Sequence, residues 1–253
     1  MANGHISYSE FKIWSECPWR HKLSYLDKLS TFNGNEFTAF GTAVHEICER
    51  TAKDEKGQTP EAFQEAFSKE LKKLDVELNK KLVVEMNVQG KELLPEIFPA
   101  LKEYFGDYEI IEAEEQLYEP IEDSELRFKG FIDLILKTKD GKYHIIDWKT
   151  CSWGWDARKK SDKLITYQLT LYKNYYVQKY NLEPKNVETH FALLKRTAKK
   201  KRVEFFRVTS GERKTKNALK ALNYSLYNIE KSRFVKNRLS CKYCEFYKTK
   251  HCP

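Results

Sequence analysis

Two carboxylates and an amine lie inside runs that read as strand interior, and that conflict limits this chain more than any other feature. The stretch is Phe128-Lys-Gly-Phe-Ile-Asp-Leu-Ile-Leu-Lys-Thr-Lys-Asp-Gly-Lys-Tyr-His-Ile-Ile-Asp-Trp-Lys-Thr150. Its halves are rich in β-branched and aromatic residues and flank Lys139-Asp140-Gly141, which predicts a β-hairpin. Asp133, Asp147 and Lys149 sit in the apolar halves, where an ionised group is costly unless it pairs or binds metal. Side chains alternate with period two, so Asp147 and Lys149 share a face. A two-residue Asp-Gly loop would set Asp133 opposite Trp148. A three-residue loop puts Gly141 where left-handed backbone is wanted and sets Asp133 across from Asp147. We take the three-residue loop, which leaves the carboxylates about 5 Å apart at Cβ. A divalent cation between them removes their repulsion, and hard oxygen donors suit Mg²⁺ or Mn²⁺. Lys149 then stands beside that metal and whatever anion it holds.

The elements around the hairpin follow from local signals. Ser7-Tyr8-Ser9-Glu10 is a capping box that opens a helix ending at Cys17. Pro18 starts the next helix, to about Leu29, and Ser30 to Thr38 reads as a loop. A helix over about Ala39–Lys53 carries the apolar stripe Phe40, Val44, Ile47 and Cys48. Gly41 near its start permits close approach of another element. His45 borders the stripe, with Glu49 one turn on. A satisfied core histidine and a metal ligand are both open readings of it. Thr59-Pro60-Glu61 starts a long, charged, amphipathic helix to about Asn87, read as solvated, and Leu94–Phe105 reads as a separate helix. Ile110–Pro120 alternates as a strand beside the hairpin, with Glu114 as a further acidic neighbour. After Thr150 comes a loop with Trp153, Trp155, Arg158, Lys159 and Lys160. Then follow a helix over Asp162–Lys179 carrying Gln168 and Tyr172, a strand Val187–Leu194, a turn, a strand Val203–Val208 and a helix Glu212–Lys231.

The net charge of +8 and pI of about 9.0 favour a polyanionic partner such as nucleic acid, although a solubilising surface explains them equally. The aromatic-basic loop at Arg158, Lys159 and Lys160 suits stacked bases and phosphates. The turn with Lys195, Arg196, Lys199, Lys200, Lys201 and Arg202 is the strongest basic cluster and reads as a phosphate contact. The polar start of the chain lacks a signal peptide's apolar core, and no run has transmembrane length. The expectation is a soluble cytoplasmic protein, in a prokaryotic cell or phage-infected host, with no membrane partner.

In a reducing compartment the six cysteines are ligands or free thiols rather than disulfides. Cys241, Cys244 and Cys252 form C-x₂-C-x₇-C near the C-terminus, a spacing that asks for a metal and a fourth ligand. Cys17, Cys48, Cys151 and His251 are the candidates.

Together these motifs resemble the PD-(D/E)xK nuclease superfamily, in its RecB-like exonuclease branch that carries a four-cysteine iron–sulfur cluster. The CRISPR-adaptation nucleases and the nuclease domains of helicase–nucleases belong to that branch. Asp133 and Asp147-Trp148-Lys149 match its signature, with Ile132 in place of the proline. Phe40-Gly41-Thr42-Ala43-Val44-His45 matches its helix histidine, and Gln168-x₃-Tyr172 its motif after the hairpin. Cys17 before the core and three cysteines after it match the cluster layout. The resemblance runs from about Ser7 to Cys252.

It implies an α/β fold with a restriction-endonuclease-like core, in which helices flank a mixed central sheet. Residues 1–253 form one nuclease domain, 54–106 a helical insertion, and 1–30 with 232–253 the cluster-binding region. It implies a Mg- or Mn-dependent exodeoxyribonuclease acting on single strands or DNA ends in replication, recombination or repair. His45, Asp133, Asp147 and the Trp148 carbonyl hold the metal. Lys149 orients the attacking water or neutralises charge. Gln168 and Tyr172 position the strand, and Glu49 and Glu114 stand by as extra ligands. Cys17, Cys241, Cys244 and Cys252 hold a 4Fe–4S cluster, with zinc as the alternative. No helicase segment is visible, so a helicase or recombination protein would be a separate partner. The rival readings are a catalytically silent nucleic-acid-binding protein of the same fold and a zinc-stapled DNA-binding protein.

Overall fold

The hairpin forms in the expected register. Strand β3 (Arg127–Thr138) pairs antiparallel with β4 (Tyr143–Cys151), Leu134 opposite Ile146 and Lys137 opposite Tyr143. Gly141 takes φ +82° and donates its N–H to Thr138 O at 2.9 Å, closing the three-residue loop. The computed structural model describes residues 4–29, 34–53 and 59–253. Part of the expected Ser30–Thr38 loop and residues 54–58 of the expected insertion lie outside them.

Around the hairpin runs a mixed six-stranded sheet. Strand β2 (Tyr108–Pro120) lies antiparallel along the whole of β3. On the other edge, β4 covers Leu134–Lys137 and the short β1 (His5–Ser7) covers Arg127–Lys129, in parallel. Between them β3 has no strand neighbour on that edge, because β4 turns away to run parallel with β5 (Val187–Lys195). Strand β6 (Val203–Arg207) closes the far edge. Asp133 sits in the gap.

Helices cover both faces. Helices α1 (Tyr8–Glu16), α7 (Lys163–Tyr180) and α8 (Glu212–Glu230) bury Phe11, Leu169, Tyr175 and Leu222 against Phe128, Ile132, Ile145 and Phe191. On the opposite face α3 (Glu36–Ala52), α4 (Pro60–Leu71) and α5 (Lys80–Phe105) bury Phe40, Phe63, Met86 and Leu93 against Leu134, Leu136, Ile146 and Trp148. Two short helices, α2 (Pro18–His21) and α6 (Ala157–Ser161), complete the set.

Four expectations need correction. Glu10 does not close the capping box: Ser7 Oγ accepts the Glu10 N–H at 3.1 Å, but the Glu10 carboxylate meets buried His21 Nε2 at 2.9 Å. Helix α3 starts three residues early, at a capping box between Asn35 and Thr38. The helix expected from Pro60 to Asn87 breaks after Leu71 and resumes at Lys80, where Asn79 Oδ1 caps Leu82 N. It then runs on to Phe105 through Pro95 and Pro99. Those prolines are four apart on the exposed side, where water can satisfy the carbonyls they free. These helices are no solvated appendage, since Phe63, Phe67, Met86, Leu93 and Ile97 are buried.

A Cβ on Gly90 would fall 2.2 Å from the Phe63 ring. Gly90→Ala is therefore expected to lower stability by about 1–3 kcal/mol through overpacking, as measured by urea unfolding. An unchanged midpoint would mean that α4 and α5 do not pack this closely.

Candidate active site

The gap on β3 gathers the acidic groups. The β3–β4 ladder stops at Leu134–Ile146, and Asp133 Oδ2 takes the Trp148 N–H at 2.7 Å where a strand carbonyl would otherwise stand. Asp133 Oδ1 lies 3.3 Å from His45 Nδ1. His45 reaches the site because α3 lies close to the end of β4: at Gly41 a Cβ would already touch Thr150 Oγ1 at 3.3 Å. Glu114 is next to Asp133 on β2, and its carboxylate, that of Asp133 and the His45 ring bring their ligand atoms within 4.8 Å of one another. Glu114 holds φ +58° inside a strand, a conformation that costs about 1–3 kcal/mol and persists only where packing imposes it.

Asp147 is nearly fully buried. Its Oδ1 accepts the Gln168 Nε2 amide at 2.6 Å, and its Oδ2 lies 2.6 Å from Lys149 Nζ. No directed hydrogen bond reaches that second oxygen, so the ion pair leaves it incompletely satisfied. Gln168 Nε2 also lies 3.5 Å from Tyr172 Oη. Tyr172 fills the space beside β3 because residue 130 is glycine, and a Cβ there would meet its ring at 2.8 Å. Thus His45, Asp133, Asp147, Lys149, Gln168 and Tyr172 come together from α3, β3, β4 and α7.

The electrostatics are those of an acidic site short of positive charge. Burial pushes the Asp147 carboxyl up, Lys149 opposes and Asp133 adds to it, and the result is about 6. Burial, then Asp133 and Glu49, push Glu114 up to about 7. Burial pulls the His45 imidazole down, but the charge and hydrogen bond of Asp133 and the charge of Asp147 outweigh it and hold it above the ordinary value. Glu49 itself is paired with Lys53 at 2.6 Å. A buried Asp147 oxygen that meets only the Lys149 amine, near the Asp133 and Glu114 carboxyls and the His45 imidazole, fits a hard divalent cation.

A family model described as the PD-(D/E)XK nuclease superfamily matches residues 5–249. The chain belongs to this superfamily. Its substrate class is nucleic acid, its reaction class hydrolytic, and nucleases of this superfamily usually use divalent metals. Among solved structures, one described as a "putative exonuclease" from Eubacterium rectale aligns over 96% of this chain and 87% of its own, at 14% identity and a TM-score of 0.62, which supports the fold. A second, SSO0001, covers 94% and 93% at 14% identity, with a TM-score of 0.37 that adds nothing to the argument. A search of the curated proteins finds no match.

A stability test follows for this PD-(D/E)XK nuclease. The folded-state value of Asp147 lies above its ordinary one, so its protonated form favours the fold. That stability is complete below about pH 4 and is lost as pH rises through about 6, with Glu114 extending the loss to about 7. In EDTA at pH 8, Asp147→Asn should raise the melting temperature by several degrees, and at pH 4 it should not. Equal melting temperatures at pH 8 would show that the buried charge carries no penalty.

The expected nucleic-acid contacts divide. Arg158 and Lys159 are exposed on α6, with Lys159 Nζ 4.5 Å from the Trp155 ring centre, while Trp153 is 69% exposed. Lys160 and Lys195 pair with Glu204 at 2.5 and 3.2 Å. Lys199, Lys200 and Lys201 are exposed. Arg196 and Arg202 are buried: Arg196 holds Gln89 and Ser152, and Arg202 pairs with Glu92 and Glu96. Both are fastened to or beside α5 and stand apart from the exposed lysines.

The cysteines also divide. Cys17, Cys241, Cys244 and Cys252 line one small pocket with Trp19, Leu23 and Phe246. Cys48 lies in the α3 core and Cys151 at the end of β4. Cys17 Sγ accepts the Asn237 N–H at 3.4 Å, and Ser240 Oγ and Asn237 Nδ2 bind Glu16 O at 2.7 and 2.8 Å. Arg20 pairs with Glu245 at 2.8 Å. Among the described residues no three of these sulfurs lie mutually within 4.8 Å. Sequence reasoning missed β1, the short α6, the Glu10–His21 pair and a buried histidine pair on β4 and β5.

Proposed function

We propose that this chain is a metal-dependent DNA exonuclease acting on single strands or free ends. The observation that carries the reading is the cluster of His45, Glu114 and Asp133 at the β3 gap, with Asp147 and Lys149 paired on the adjacent strand β4. His45, Asp133, Asp147 and the Trp148 carbonyl would hold Mg²⁺ or Mn²⁺, with Glu114 close enough to join. Bound there, the ion would polarise the scissile phosphate and acidify the attacking water.

The chain's own residues do the rest. Lys149 Nζ, 2.6 Å from Asp147 Oδ2, stabilises negative charge as it grows on the phosphate. Gln168 fixes the Asp147 carboxylate through Oδ1, which leaves Oδ2 for the cation. Tyr172, seated against Gly130, keeps Gln168 in place, since misplacement of a reacting group by an ångström costs roughly 100-fold in rate. Arg158, Lys159 and Lys199–Lys201 supply exposed charge for the phosphate backbone, and Trp153 a stacking surface.

The four-cysteine pocket takes a 4Fe–4S cluster. Its support is the gathering of Cys17, Cys241, Cys244 and Cys252 around one pocket and the amide donated to Cys17. The cluster role is structural, since the pocket joins the two ends of the described chain. A helicase or recombination protein is a suitable partner for such an end-processing enzyme.

The test uses end-labelled single- and double-stranded DNA with Mg²⁺, Mn²⁺ or EDTA. Metal-dependent shortening from an end is expected. DNA binding without cleavage under every metal would replace this reading with the silent-scaffold one.

A further inference from the structure

A second cluster of metal-ligating side chains lies at the other end of β4, outside the nuclease site. His144 and Glu188 are paired neighbours on β4 and β5, and His190 follows two residues along β5. All three therefore point to the same face. His144 Nδ1 and His190 Nε2 stand 3.2 Å apart. Glu188 Oε2 is turned toward His190 Nε2 at 3.9 Å, and the three ligand atoms lie within 4.8 Å of one another.

The proton arrangement leaves a lone pair aimed into this cluster. Thr138 Oγ1 donates to Asp140 Oδ1 at 2.5 Å, so at 3.0 Å from the same oxygen His144 Nε2 must be the donor. His144 Nδ1 then carries no proton and faces His190. A carboxylate–hydroxyl–imidazole chain of this kind orients a metal-ligating histidine.

The spacing fits one ion. Two nitrogens at about 2.0–2.1 Å from a tetrahedral zinc are roughly 3.3 Å apart, against the 3.2 Å observed. The carboxylate oxygen, 3.9 Å from His190 Nε2, needs to close by more than half an ångström. Phe105 stands 5.0 Å from each imidazole, centre to centre, and Tyr104 5.8 Å from His190. These rings give the ligands a dry wall on one side. The same rings, with Lys142 and Arg207, line a cleft of about 540 Å³ that leaves room for a water or a small ligand in the fourth position. Lys142 and Arg207 each lie 3.2 Å from Glu188 Oε1, so both bind the oxygen that faces away from His190.

We propose that His144, Glu188 and His190 form a second metal site, specific for a borderline divalent transition ion such as Zn²⁺ or Co²⁺, that staples β4 to β5. Two imidazoles select such an ion over Mg²⁺, which prefers all-oxygen sites. This site is independent of the nuclease reading.

The experiment titrates the full-length protein, its cysteine site as isolated, with Co²⁺ and then Zn²⁺. Besides any Co²⁺ that the nuclease site accepts, the wild type should take up one Co²⁺ with visible d–d absorption and no sulfur-to-cobalt charge-transfer band, and Zn²⁺ should displace it. The same equivalent should persist in Asp147→Ala and be lost in His190→Gln. Glu188→Gln guards against misfolding of the histidine variant and should weaken binding. Thr138→Val should weaken it by about tenfold or more, by releasing the His144 ring. The proposal is overturned if His190→Gln, folded by circular dichroism, binds as the wild type does. It is equally overturned if the wild type takes up no such equivalent, or if the equivalent disappears in Asp147→Ala.

Discussion

Asp147→Ala is expected to reduce cleavage by roughly 10³-fold or more while DNA affinity stays within a few-fold of wild type. The asymmetry follows from where this carboxylate stands. It is 3% exposed, beneath the site, with one oxygen fixed by Gln168 and the other beside Lys149. It offers nothing to a DNA backbone, and its removal takes away a negative charge that repels one. What disappears is the proposed ligand of a cation that would sit against the phosphate, an interaction worth several kcal/mol in the transition state, and each 1.36 kcal/mol is a factor of ten in rate. Gel shifts at fixed salt give the affinity, and single-turnover degradation of end-labelled DNA gives the rate. Gln168→Ala should fall between, at roughly 10–100-fold, because the carboxylate remains but swings free. Cleavage that survives in highly purified Asp147→Ala would remove the metal-dependent mechanism.

The site was legible in the sequence to the extent that it rests on periodicity and turn chemistry. Gly141 selected the loop and the loop set the register, Leu134 opposite Ile146, but the ladder stops one pair short of Asp133 and Asp147. His45 was readable only as bordering an apolar stripe, because its distance to Asp133 depends on how α3 packs across the sheet, which no local pattern encodes. Glu114 was placed near the site by alternation, but its left-handed backbone was not, since nothing in the local sequence announces strain. The helical layer misled for a different reason. An interruption was expected between Asn87 and Leu94, yet α5 runs unbroken from Lys80 to Phe105, with Pro95 and Pro99 on its solvent side, where a lost backbone hydrogen bond is cheap. The basic turn misled as well: Arg196 and Arg202 look like Lys199–Lys201 in a string of residues, but carboxylates and an amide on α5 claim them. His144 and His190 gave no signal at all. They are 46 residues apart in sequence and meet only through the parallel pairing of β4 with β5.

The other large effect concerns the two ends of the domain. Changing Cys241 or Cys17 to serine is expected to abolish visible absorbance and leave the protein prone to aggregate. The physical reason is the length of chain the pocket closes. Cys17 follows α1, and Cys241, Cys244 and Cys252 follow α8, so a cluster bound to all four constrains almost the whole unfolded chain. In the loop-entropy picture such a closure is worth about 5 kcal/mol, a large share of the 5–15 kcal/mol that ordinarily holds a domain together. The rest of this corner is held by hydrogen bonds and partly buried side chains, Trp19 Nε1 to His251 O at 3.1 Å and Trp19 N to Val235 O at 3.2 Å among them. Among its described contacts are Leu23 and Phe246 as buried apolar side chains, the hydrogen bonds from Asn237 and Ser240 to Glu16, and the Arg20–Glu245 pair. Pairs of that kind contribute about 0–1 kcal/mol each when partly exposed. Iron and acid-labile sulfide analysis, with urea unfolding of holo and variant proteins, separates the cases. Brown wild type with about four irons per chain and a strongly destabilised Cys241→Ser support the structural cluster. Cys48→Ser, altering a cysteine in the α3 core away from the pocket, should keep its colour. Colourless wild type carrying one zinc would return the pocket to the zinc reading, and a Cys241→Ser protein as stable as wild type would show that the ends need no staple.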